Sequence, residues 1–62
     1  MGEKEIEEIK KLMEDAKWDI KADDLEDAKL KLETAKQKAK DIRNEELLNE
    51  ILELLPKTYR HI

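Results

Sequence analysis

The sequence predicts an all-α fold, specifically an antiparallel three-helix bundle running up-down-up on short connections. Three observations lead there. Glu, Lys, Leu, Ala, Asp and Ile dominate, most of them good helix formers, while Val, Ser, Phe and Cys are absent and Gly2 is the single glycine. With neither Val nor Phe, and with one Tyr and one Trp, the chain has little from which to build sheet. Finally, apolar residues recur in steps of three and four, and that rhythm breaks at two places, dividing the chain into three helical stretches.

The first stretch carries Ile6, Ile9, Met13, Ala16 and Ile20 on one face and predicts a helix over about 4–21. The second carries Leu25, Ala28, Leu32, Ala35, Ala39 and Ile42, predicting a helix over about 24–43. Joining the two series needs a step of five from Ile20 to Leu25, which turns the stripe by about 140°. One straight helix would therefore split its apolar face, so the chain is expected to reverse at about 22–24. Asp23 or Asp24 is placed to cap the next helix, with Glu26 and Asp27 in its first turn. With no glycine available, the end of helix 1 is expected to be closed by an aspartate or by water, the alternative being a continuous-helix or domain-swapped form.

At "IRNEELL", Asn44 can end helix 2 in the left-handed conformation or cap helix 3, which is expected over about 45–55. Helix 3 holds Leu47, Leu48, Ile51, Leu52, Leu54 and Leu55 over an arc of about 160°, wide enough to sit between two other helices. Pro56 ends or kinks it, leaving 56–62 as a tail or short extra turn. Short connections make sequential helices antiparallel. Alanine at three stripe positions of helix 2 invites close approach, and the leucines of helix 3 supply the bulk. Residues 45–55 carry four Glu and no Lys or Arg, whereas helix 2 ends in Lys36, Lys38, Lys40 and Arg43, a bias toward setting those two helices side by side.

At 62 residues the chain is one domain, hiding only about 60% of the surface its unfolded form exposes. Without cysteine, disulfides and thiolate metal sites are excluded. A net charge of −4 argues against generic binding to nucleic acid or anionic membrane. No apolar run approaches the roughly 20 residues that cross a bilayer. The N-terminus "MGEKEIEEIKK" is too acidic for a signal or transit peptide, so a cytosolic or recombinant setting is the default.

Four constellations could carry chemistry. Asp23, Asp24, Glu26 and Asp27 cluster as a calcium loop might, but lack its mid-loop glycine and closing glutamate, so they read as helix-start acids. His61 has no serine or cysteine to activate and no second histidine to share a metal. Lys57, Tyr59, Arg60 and His61 combine charge with rings as nucleic-acid binders do, though on an acidic chain. Lastly, Trp18 points about 170° from the centre of helix 1's stripe, and Leu30 is similarly displaced on helix 2. In a hairpin turning near residue 23 they lie at about the same height, and with Ala22 they make a candidate interface for a protein or peptide partner or for a second copy of the chain. No phosphate loop, nucleophile–base pair or paired metal histidines occur, so no enzyme activity and no cofactor are expected.

The restricted alphabet, regular stripes, acids at helix starts and bases at helix ends resemble those of de novo designed three-helix mini-proteins. That resemblance implies a scaffold with no natural biological role. Neither predicted turn has the glycine that designed loops usually carry. "DLEDAKLKLETAKQKAKDI", Asp24 to Ile42, is similar to the second helix of a tetratricopeptide hairpin, with Ala28, Leu32 and Ala35 at its small–large–small spacing and Ala16 at the first helix's small position. Asp15 and Asp19 stand where that family buries large apolar side chains, and Lys40 where it ends on proline. This similarity implies a peptide-binding adaptor using the face of helix 1.

Overall fold

A computed structural model describes residues 2–59 of the chain. It is a three-helix bundle, all-α across those residues: α1 Glu3–Lys21, α2 Leu25–Asp41, α3 Glu45–Leu54, then a 3₁₀ turn at Leu55–Thr58. The boundaries fall within about two residues of those the apolar rhythm predicts, which is the ordinary fraying of helix ends. His61, Arg60 and the end of the predicted tail lie outside the described residues.

Both corners are built alike. At the first, Ala22 leaves α1, Asp23 takes a left-handed φ of 62° and Asp24 enters α2 at φ −96°. At the second, Ile42 leaves α2, Arg43 takes φ 55° and Asn44 enters α3 at φ −92°. Each left-handed residue lets the chain fold back on the helix it has just left. Asp24 N–H donates to the Asp19 carbonyl at 2.7 Å and Asp23 N–H to the Ile20 carbonyl at 3.1 Å. Asn44 N–H donates to the Ala39 carbonyl at 2.9 Å and Arg43 N–H to the Lys40 carbonyl at 3.1 Å. These are two complete Schellman closures, a motif that usually places glycine at the left-handed position. The end of α1 is closed by aspartates as expected, through the backbone N–H groups of Asp23 and Asp24 rather than a carboxylate.

Of the two roles open to Asn44, the structure uses the cap. Its Oδ1 accepts from Leu47 N–H at 3.1 Å. That fixes Asn44 in extended backbone, ψ 92°, and passes the left-handed position to Arg43. Asp24 holds the corresponding place before α2 but makes no side-chain cap bond, a departure from the expected aspartate cap. Its ψ of 69° falls short of the extended region that caps favour. The neighbouring Asp27 side chain, then desolvation and the like charge of Asp27, raise the Asp24 pKa, against a smaller lowering by the Asp27 backbone.

The core is Ile9, Met13 and Ala16 of α1, Ala28, Leu32, Ala35 and Ala39 of α2, and Leu47 and Ile51 of α3. All nine belong to the predicted stripes. Ile9, Leu32 and Ile51 are the largest fully buried side chains. The alanines let both neighbours come close to α2, which is the central helix. Here the structure departs from the expected groove position of α3: it leans on α2 and meets α1 only sparsely. Its apolar arc is wider than one contact surface, so Leu52 at the arc's outer edge stays 44% exposed.

Pro56 converts the end of α3 into the 3₁₀ turn. Thr58 is buried there, its hydroxyl donating to the Leu55 carbonyl at 2.7 Å. Tyr59 comes back toward α2, with Lys29 Nζ 5.1 Å from its ring centre.

Candidate functional site

Trp18 projects from the back of α1 and is 64% exposed. One turn on, Lys21 lays its ammonium 5.2 Å from the indole centre, a cation–π contact that also shields part of the ring. The depression around the indole, about 440 Å³, is bounded by Met13, Lys17 and Glu14 of α1 and by Glu50 of α3. Thus Trp18 looks toward the α3 side of the molecule. Ala22, four residues on and exposed, is its neighbour along the helix, and its N–H donates to the Trp18 carbonyl. Leu30 is 62% exposed on α2, a helix that lends no residue to the hollow around the indole. The structure therefore sets Trp18 and Ala22 on one face and leaves Leu30 as a separate exposed side chain.

The opposite seam, between α1 and α2, carries the ion pairs of the described residues. Lys31 Nζ donates to Asp19 Oδ2 at 2.6 Å, half sheltered between the helices. Lys38 meets Glu8 at 3.4 Å nearer the surface. The Asp19 hydrogen bond raises the Lys31 pKa, against a smaller opposing effect of desolvation, and the charges of Asp19, Asp15 and Asp27 add to the rise. Asp19, where a tetratricopeptide helix would carry a large apolar residue, is thus a salt-bridge partner. The basic end of α2 and acidic α3 do lie in neighbouring helices, as their charges bias them, while the ion pairs Lys31–Asp19 and Lys38–Glu8 join α2 to α1. Along α3 the contact is made by small and apolar side chains, which leaves its glutamates pointing outward.

Of the acid cluster, Asp23 and Asp24 form the corner and Glu26 and Asp27 lie in the first turn of α2. Among the described residues no group of three or more His, Cys, Asp or Glu side chains could hold a metal ion. No helix of the described residues is long and apolar enough to cross a membrane. Of the basic-aromatic tail, Lys57 and Tyr59 are exposed; Tyr59, 51% exposed, borders an acidic hollow lined by Asp24 and Glu26.

A surface that the sequence reading missed runs along the α1/α3 seam. Two further depressions follow one another there. One lies between Ile6 and Lys10 of α1 and Leu47 and Glu46 of α3, the other between Met13 and Lys17 of α1 and Leu54 and Glu53 of α3. The signal was present: Lys10, Lys17 and Lys21 flank the α1 stripe at helical spacing, as Glu46, Glu50 and Glu53 flank that of α3.

Compared with known proteins, the chain matches no family model, no curated protein and no solved structure.

Proposed function

We propose that this chain is a non-enzymatic helical scaffold of engineered origin, whose task is to fold and hold outward-facing helical surfaces in fixed register. The observation that carries this reading is the repetition of one corner. Ala22-Asp23-Asp24 and Ile42-Arg43-Asn44 share nearly the same dihedrals and the same pair of closing hydrogen bonds. Reuse of a single loop geometry between regular helices is a habit of idealised backbones. The nine-residue core drawn wholly from regular stripes supports the same reading.

Circular dichroism of the isolated chain is the test. A scaffold gives a fully helical spectrum and a cooperative, reversible melt with nothing added. A chain that is disordered alone, and gains helix only with a partner, overturns the proposal.

A second reading, a protein-interaction module, is favoured by one feature: the indole is held by Lys21 yet left mostly bare. Under that reading Trp18→Ala keeps the helical spectrum and abolishes a binding activity. Under the scaffold reading there is no such activity to lose.

A further inference from the structure

α1 and α3 run parallel and meet sparsely, so the seam between them is an open groove. Its floor is apolar: half-buried Ile6 and Leu54 line it, over the buried core residues Met13 and Leu47. Its two rims carry opposite charge. The α1 rim has Lys10, Lys17 and Lys21 against one acid, Glu14. The α3 rim has Glu46, Glu50 and Glu53 against one base, Lys57. Among the described residues these rim charges form no ion pair; the pairs present lie at the α1/α2 seam.

The rims are also matched in height. Lys10 shares a depression with Glu46 and Glu50, and Lys17 shares one with Glu50 and Glu53. A twofold axis parallel to the helices preserves height and exchanges left for right, so it places the lysine rim of one copy on the glutamate rim of another. A twofold axis across the helices would instead set α1 on α1 and α3 on α3, like charge on like.

We propose that the α1/α3 groove is a self-association surface on which two copies of this chain pack face to face, α1 of each on α3 of the other, with Lys10 and Lys17 meeting Glu46, Glu50 and Glu53 of the second copy. This goes beyond the scaffold reading, which holds for one copy alone. With α1 about 28 Å long and two helices spanning roughly 20 Å, each copy offers about 500 Å². Two such faces bury about 1,000 Å² together, the size of a weak, reversible complex. The bare Trp18, at the α1 edge of the groove, comes under the second copy's α3.

Sedimentation equilibrium on the full chain from ~10 µM to ~1 mM, with tryptophan emission in parallel, tests this in ~20 mM and ~500 mM salt. In low salt the mass rises toward that of two chains while emission shifts to the blue. High salt weakens association about tenfold or more. Lys10→Glu/Lys17→Glu makes both rims acidic, Glu46→Lys/Glu50→Lys makes both basic, and each variant alone stays at monomer mass. Mixed in equal amounts, they restore the dimer. A chain carrying all four substitutions, its rims simply exchanged, associates like the original, which keeps the test decisive should either double variant lose helix. A protein that is monomeric throughout overturns the proposal. So does a dimer indifferent to salt and to both double variants, the signature of an exchange of helices through the 22–24 corner or of contact through Leu30.

Discussion

Arg43 sits at φ 55°, where a side chain crowds the following carbonyl. For a residue other than glycine that conformation costs about 1–2 kcal/mol. Glycine adopts it without that cost but has a more flexible unfolded chain, which takes back about 0.4–1 kcal/mol. Arg43→Gly should therefore stabilise the fold by about 0.5–1 kcal/mol. Arg43 is exposed, and its side chain forms none of the ion pairs. Little is lost with the guanidinium beyond its favourable place at the end of α2. An unfolding entropy of about 2.1 cal/mol/K per residue over 62 residues gives ~130 cal/mol/K, so the melting temperature should rise by about 4–8 °C. Thermal melts followed at 222 nm measure it, with Arg43→Ala as the control. Alanine removes the charge but keeps the Cβ, so its melting point should stay near that of the parent. If glycine gives no rise, or alanine gives the same rise, the left-handed corner is not where the strain resides.

Other perturbations sort the core and caps from the surface. Leu32→Ala, at the fully buried centre of α2, should cost about 2–5 kcal/mol and abolish the cooperative melt of so small a domain, whereas Leu30→Ala should stay within about 0.5 kcal/mol. Asn44→Ala removes the bond to Leu47 N–H and should cost about 1 kcal/mol by urea denaturation. The raised Asp24 pKa has a definite sign. Its contribution is fully present below the ordinary carboxylate range and is lost as pH rises through the raised folded value, so Asp24→Asn should remove that loss and flatten melting temperature against pH across the acid range. The raised Lys31 pKa means the pair with Asp19 stabilises at neutral pH and fades only as alkaline pH passes the folded value. Lys31→Gln should lower the melting point at pH 7 and lessen the further drop as strongly alkaline pH passes the raised folded value.

Much of this fold was legible because helices advertise their buried face. The jump from Ile20 to Leu25 is taken up by a reversal, and the residues that went inside were those in the stripes. Less legible was which residue would bear the left-handed turn. Asn44 was the natural choice by propensity, but a cap needs extended backbone, and once Asn44 caps, Arg43 must turn. Asp24 shows the limit of reading caps by residue type: at the same place before a helix Asn44 caps through its side chain, and Asp24, with ψ 69°, does not. Exposure of Leu52 and openness of the α1/α3 seam depend on how far α3 leans toward the alanine face of α2, a tertiary choice that periodicity does not encode. Trp18 and Leu30 were matched in height along the hairpin, but height alone does not bring two side chains to one face. The charged rims escaped notice for a simpler reason: lysines and glutamates beside a stripe look like any solvated helix until the neighbouring helix stands apart.

The twinned corners carry a consequence for how the chain can be edited. Since Ala22-Asp23-Asp24 and Ile42-Arg43-Asn44 perform one and the same manoeuvre, they are interchangeable joints. Grafting the second tripeptide into the first site would keep the hairpin angle while importing a working asparagine cap. A further helix joined through the same tripeptide would leave at the same inclination, so the molecule could be lengthened in whole units without redrawing what is already there.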